Sequence, residues 1–359
     1  MGRGHRVRRA MAAVAAAATV VAAVAGCTVG TPDTLPDPTQ SGAMPGESRG
    51  SQAQDTSSPY VYLSAPTGDP RQDFGSLYLP PGRFAPGTVP VVVLIHGGGW
   101  KSRWSLRYMS DMARALQASG LAVWNVEYRR VGSGGGWPTT FTDVAAAVDF
   151  VPRLRSTVAP ELDTANVTFV GHSAGGELAA WAATRGSLPA DAPGAHPVVV
   201  PKAFISLSGV LDMRRSDHQN DHVRQLMGGH QAQQPLRYAL VDPIERIDPS
   251  IPAIVVHGTK DPIVPMQESV DFARAVGLAG GRAHLVELAG AGHAATVSVR
   301  SKWWPQIRSL IVKTAKYGYD AAVSGADEPT TRPPTHHSRS TRRPDILAAA
   351  PSGSEPGPR

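Results

Sequence analysis

The segment VTFVGHSAGGELAAW, residues 167–181, constrains the fold more than any other stretch of the chain. An apolar, β-branched run stops at Gly171, Ser173 follows, then Gly175 and Gly176, and a helix-like pattern begins. Glycines on both sides of one serine indicate a strand-to-helix turn too tight for side chains at those positions. Such a turn is strained and lifts the hydroxyl clear of a sheet. It also sets a helix N-terminus behind the serine, where free backbone N–H groups favour an anion. GHSAG meets the spacing Gly-x-Ser-x-Gly, and the β-run before it and the helix after it give the short motif its weight.

The pattern on either side alternates. YVYLSAP and GSLYLPP read as a short antiparallel start, and VPVVVLI is a continuous apolar run of the kind that fills the centre of a parallel sheet. YMSDMARALQASG puts Met109, Met112, Ala113 and Leu116 on one helical face and stops at Gly120. LAVWNVEY, NVTFV, KAFISLSG, PAIVVHG and AHLVEL read as further strands, with TTFTDVAAAVDFVPRL as a helix between two of them. This alternation implies right-handed crossovers and a doubly wound, mostly parallel α/β sheet of about eight strands with helices on both faces. Ligands sit beyond the carboxyl ends of such strands, so the residues after each run are the ones to inspect.

Three further strand ends carry candidate chemistry. HGGGW follows VVVLI, and a glycine run lets backbone N–H groups turn toward a ligand. Acyl transfer needs donors aimed at a tetrahedral oxyanion, each contributing about 3 kcal/mol. The candidates are the amides of Gly98, Gly99 and Ala174, the last being the residue after the serine. His96 reads as a structural hydrogen-bonder of this loop, and Trp100 as a pocket wall or a packing group. AIVVHGTKDPIVP presents Asp261 past a strand, and HLVELAGAGH ends in His293. A serine hydroxyl is a poor nucleophile until a base takes its proton, and the base needs an acid to fix its tautomer. Ser173, Asp261 and His293 supply these roles in chain order. Asp212, after ISLSGVL, is the reserve acid, while His257 and His284 read as structural. His218 and His222 are four apart but have no third ligand, so no metal and no organic cofactor is expected.

The ends of the chain differ from its middle. MGRGHRVRRA is basic, with Arg3, Arg6, Arg8 and Arg9, and MAAVAAAATVVAAVAG after it is apolar, which is the pattern of an export signal over 1–26. VAGC resembles the lipobox of bacterial lipoproteins, which implies that Cys27, the single cysteine, is acylated and tethers the protein to a membrane. Residues 27–58 are rich in Pro, Gly, Ser and Thr and read as a disordered tether; 319–359 read as a disordered tail. The folded domain is expected over 59–318. The net charge of +6 is dispersed, with no basic run interleaved with aromatics, so nucleic-acid binding is not expected.

HGGGW, GHSAGG, HGTKDPIVP and GAGH, in that order, resemble the α/β-hydrolase superfamily, in the esterase branch that includes carboxylesterases, feruloyl and acetyl esterases and arylformamidases. The resemblance spans about residues 59–319. It implies an α/β-hydrolase fold with Ser173 as nucleophile, His293 as base and Asp261 as orienting acid, acting on a small-molecule carboxylic ester. VEYRR and GGGWP would support the site, and residues 212–248 are long enough for a small helical cap. An amidase or small-peptide hydrolase of the same fold is the alternative, followed by a non-catalytic surface-binding lipoprotein. Acyl length, leaving group and oligomeric state are not set by the sequence.

Overall fold

The computed structural model describes residues 57–64, 68–219 and 221–324. The export signal, Cys27 with the segment after it, and the tail from residue 325 lie outside the described residues.

Eight strands form one sheet: β1 (Ser57–Val61), β2 (Phe74–Tyr78), β3 (Val89–Ile95), β4 (Ala122–Val126), β5 (Leu162–His172), β6 (Ala203–Leu207), β7 (Ala253–Gly258) and β8 (Ala283–Leu288). Their order is β1-β2-β4-β3-β5-β6-β7-β8. The first two are antiparallel to their neighbours, and the six from β3 to β8 run parallel. Chain progression runs outward in one direction from β3 to β4 and in the other from β5 to β8. The reversal lies between β3 and β5, where a doubly wound sheet opens a crevice at its carboxyl edge.

The period of two along β3 divides the core. Val91, Val93 and Ile95 join one apolar cluster, and Val92 and Leu94 join the other. On the first face lie α2 (Thr139–Asp149), α3 (Val151–Thr157), α4 (Ala174–Thr184) and α8 (Met266–Leu278); on the second lie α1 (Ser110–Gln117), α9 (Trp304–Tyr317) and α10 (Tyr319–Val323). The α/β-hydrolase fold with helices on both faces is therefore what the chain adopts. The single helix expected over TTFTDVAAAVDFVPRL is two, broken at Phe150. Pro152, lacking an N–H, cannot continue the earlier helix but suits the first turn of a new one.

The boundaries also move outward. Ser57 pairs with Tyr78 in the β1–β2 ladder, and Ala322 of α10 is buried against the second cluster. Ordered structure thus begins before residue 59 and continues past 318. Between β6 and β7 the cap expected over 212–248 is helical: α5 (Met213–Gln219), α6 (Asp221–Met227), α7 (Pro235–Val241) and a 3-10 turn at Pro243–Glu245. Val223, Leu226, Tyr238 and Val241 bury their side chains in the first cluster, which seats these helices on the domain. His218 and His222 fall on separate helices, α5 and α6, rather than one turn apart on a single helix.

Candidate active site

Ser173 stands between β5 and α4 with φ 55° and ψ −123°, a conformation a residue with a side chain rarely holds. The glycines around it have steric reasons. A Cβ on Gly171 would lie 1.8 Å from the Gly175 carbonyl oxygen, one on Gly175 2.1 Å from that of Ile95, and one on Gly176 2.7 Å from the Gly209 Cα. The strand, the helix and the neighbouring loop meet too closely for side chains. The Ser173 amide is anchored to the Leu207 carbonyl at 2.9 Å, which fixes the turn to the end of β6.

His293 opens a 3-10 turn after β8, and its Nδ1 lies 2.7 Å from Oδ2 of Asp261. The Asp261 side chain is closed to solvent and that of His293 is 16% exposed, so the pair faces the outside through the imidazole. Burial raises the proton affinity of Asp261, but hydrogen bonds from His257 and His293 and from the amides of Val264 and Ile263 outweigh it. The carboxyl is held well below the usual range. The two loops are tied together: Lys260 N–H donates to the Ala291 carbonyl (2.9 Å) and Gly290 N–H to Thr259 Oγ1 (2.8 Å).

His172, next to Ser173, links the serine turn to His293. Its Nε2 is 3.2 Å from the His293 carbonyl oxygen, and its Nδ1 is 3.3 Å from the Tyr108 hydroxyl. Burial, with His293 beside it, pushes His172 down to about 3, so the ring is neutral. Nε2–H then donates to the carbonyl and Nδ1 accepts from the phenol.

The glycine loop closes the other side. A Cβ on Gly97 would stand 3.0 Å from the Ser173 Cβ, so this loop abuts the serine directly. Gly98 and Gly99 have φ of 111° and 61°, and Gly98 lies under the Trp104 ring. Among the described residues the amides of Gly98, Gly99 and Ala174 donate to no backbone carbonyl, and Ala174 is the first residue of α4, where an N–H has no partner within the helix. Gly97 was missing from the sequence candidates, although the HGGGW run contains it.

Behind the loop, His96 is buried and stacks on Tyr128 at 4.4 Å. Its ring contacts Glu127 Oε1 at 2.9 Å and the Gly97 carbonyl at 2.8 Å. Burial and the neighbouring Arg130 push it down to about 3, so its one N–H serves these two acceptors in turn. Trp100 is buried at φ 53° and donates its indole N–H to Glu177 Oε2 at 3.2 Å, so it packs rather than walls a pocket. VEYRR and GGGWP form framework as expected: Arg129 is bound to Asp143 at 2.6 Å, and Trp137 N–H donates to Leu226 of the cap at 2.8 Å.

The rival residues are engaged elsewhere. Asp212 accepts from the Arg215 amide at 2.9 Å at the start of α5. His257 sits in β7 rather than in a turn, bound to Ser269 Oγ (2.6 Å) and the Val264 carbonyl (3.0 Å), with Asp261 at 3.4 Å. Tyr108, His172 and Trp104 are the contributors that sequence reasoning missed, since only tertiary packing brings the 104–108 segment to the serine.

Comparison with known proteins bears on the family and the fold. The BD-FAE family model matches residues 76–276. Esterase LipQ of Mycobacterium tuberculosis is 27% identical over 234 residues, 62% of this chain and 54% of that protein, so the chain spans about half the length of this curated relative. A truncated carbohydrate esterase from gut microbiota superposes with a TM-score of 0.61 at 21% identity, covering 73% of this chain and 98% of that one. A thermophilic esterase of Thermogutta terrifontis, in its butyrate-bound form, does so with 0.60 at 23%, covering 73% and 95%. At such identities these structures show a shared fold, and the family match covers more than half of the sequence. The chain belongs to the BD-FAE family and has the α/β-hydrolase fold.

Proposed function

We propose that the chain is a serine hydrolase that cleaves carboxylic esters through an acyl-enzyme, with Ser173 as nucleophile, His293 as general base and Asp261 as its orienting acid. The observation that carries this reading is the 2.7 Å bond between Asp261 and His293, set at the carboxyl edge of the sheet that also holds the strained Ser173. The esterases among its relatives favour an ester over an amide as the substrate.

With Nδ1–H donated to Asp261, the basic nitrogen of His293 is Nε2. It takes the Ser173 proton as Oγ attacks the ester carbonyl. The amide of Ala174 and those of the glycine loop hold the oxyanion, and each contributes about 3 kcal/mol to lowering the barrier. His293 then gives its proton to the departing alkoxide, leaving the acyl group on Ser173. Water, deprotonated by His293, attacks the acyl carbon, and His293 returns that proton to the leaving Ser173 Oγ as the acid is freed. Asp261, held ionised, stabilises the imidazolium without taking the proton itself.

Residues 1–26 are read as an export signal and Cys27 as its acylated end, which would place the domain on the outer face of a bacterial membrane. Cys27→Ala should then shift the protein from the membrane fraction to the medium. The activity is tested with a p-nitrophenyl ester series of increasing acyl length, using the chain without its first 26 residues and its Ser173→Ala variant. Turnover lost in the variant supports the reading. Absence of turnover on every ester, with a fluorophosphonate still labelling Ser173, would turn it toward amide substrates. Neither turnover nor labelling would leave the non-catalytic binding protein standing.

A further inference from the structure

The glycine loop runs directly into a cationic segment. Gly99 packs under the imidazole of His222 on α6, where a Cβ would lie 2.5 Å from the ring Nδ1. Lys101 is half-buried and fixed by a parallel bridge to Val131. The Arg103 guanidinium lies 5.7 Å from the centroid of Trp104, and that indole would come within 2.4 Å of a Cβ on Gly98. The three groups feel one another. Burial, then Lys101 and Arg103, lower the proton affinity of His222, and burial followed by Arg103 lowers that of Lys101.

Arginines of the VEYRR segment and of the cap helices are paired: Arg129 with Asp143, Arg215 with Asp271 and Arg224 with Asp221. Among the described residues, neither Lys101 nor Arg103 has a carboxylate within ion-pairing distance. A partly desolvated ammonium without a counter-charge is unfavourable in the free protein, and an anion arriving beside it relieves that cost. A cleft lined by one sign of charge also draws in ligands of the other. Lys101 and Arg103 directly follow the loop whose Gly97 abuts Ser173, and Arg103 rests on the indole that covers Gly98.

We propose that Lys101 and Arg103, with His222 packed beside them, form a selectivity rim for esters bearing a carboxylate, phosphate or sulfate close to the scissile bond, a claim that rests on the ester-hydrolase reading above. The charge can sit on either portion of the ester, and two substrate pairs distinguish the cases. On the alcohol side, 4-acetoxybenzoate is compared with neutral 4-acetoxybenzamide. On the acyl side, the mono-p-nitrophenyl ester of adipic acid is compared with p-nitrophenyl hexanoate. Each rate is normalised to its hydroxide-catalysed rate.

The anionic member of at least one pair is expected to have a kcat/KM about tenfold higher, carried mainly by KM, with the advantage shrinking as salt is raised. In Lys101→Ala/Arg103→Ala the ratio should fall to near unity, and Arg103→Glu should favour the neutral member. Because each ratio is taken within one variant, a partial loss of folded protein cancels. Normal turnover of the neutral esters without anionic preference in either pair would overturn the rim while leaving the hydrolase reading intact. A preference that survives the double substitution would overturn it equally. Failure of both members of both pairs would instead refute the hydrolase reading, and the rim with it.

Discussion

At Ser173 the backbone is held in a strained conformation at a cost in stability. A non-glycine residue at φ 55° and ψ −123° costs on the order of 1–3 kcal/mol, which glycine largely avoids. Ser173→Gly is therefore expected to melt at a higher temperature than the parent while losing turnover; thermal unfolding and an ester assay on one sample check both. Gly171→Ala should lower both the melting temperature and turnover, because its Cβ would press to 1.8 Å from a backbone oxygen that cannot move without the turn. Asp261→Asn should leave the fold intact and lower kcat by about ten-thousand-fold, since an amide no longer holds the imidazole in the useful tautomer. These positions were legible because each follows an apolar run, and a strand end is where a chain of this class presents chemistry. Gly97, Trp104, Tyr108 and the role of His172 were not. They matter through contacts made across the fold, which no local pattern encodes.

At the scale of elements, the glycine loop depends on one buried pair. Burial raises the Glu177 carboxyl well above its ordinary range against the Trp100 hydrogen bond, with Asp242 adding to the rise. Glu177→Gln keeps an acceptor for the indole and should preserve both melting temperature and kcat. Glu177→Leu leaves the indole N–H unpaired, which costs about 1–3 kcal/mol, and should lower both.

A second pair sits under the cap. Asp242 accepts the amides of Met213 and Arg214, and Glu268 those of Leu211 and Asp212 together with the Ser216 hydroxyl. Burial pushes both carboxyls up to about 7. The folded state therefore binds more protons than the unfolded one between the ordinary carboxylate range and pH 7. Their contribution to stability is full at the acidic end of that window and falls as pH rises through it. Denaturant unfolding in steps across this window should show the decline, and Asp242→Asn should flatten it. Seven of the eight strands were readable from their apolar runs, whereas β1 begins at Ser57 and shares only Tyr60 and Val61 with YVYLSAP. The break at Phe150 was not, although Pro152 marks it, because the surrounding apolar residues keep a helical period across the joint.

For the whole molecule, the sheet brings together residues distant in the chain. Because β5 pairs with β3 on one side and β6 on the other, the serine turn is placed beside the glycine loop, with Asp261 and His293 beyond the ends of β7 and β8. Strand order was not legible in the sequence, since periodicity shows which segments are strands and not which strands are neighbours. The true extent of the domain was hidden too: α10 is short and follows Gly318, yet Ala322 is buried. Removing residues 325–359 should leave the melting temperature unchanged, whereas cutting at 318 should lower it by exposing the core that α10 covers.

The most direct test of the central claim is to trap the acyl-enzyme: react the protein with a slowly deacylating p-nitrophenyl ester, quench in acid and locate the added mass by peptide mapping. The expected result is one acyl group per chain, on Ser173, formed with a stoichiometric burst of p-nitrophenol and strongly slowed in His293→Ala. Steady ester turnover with no adduct on Ser173, or an undiminished burst in Ser173→Ala, would contradict it.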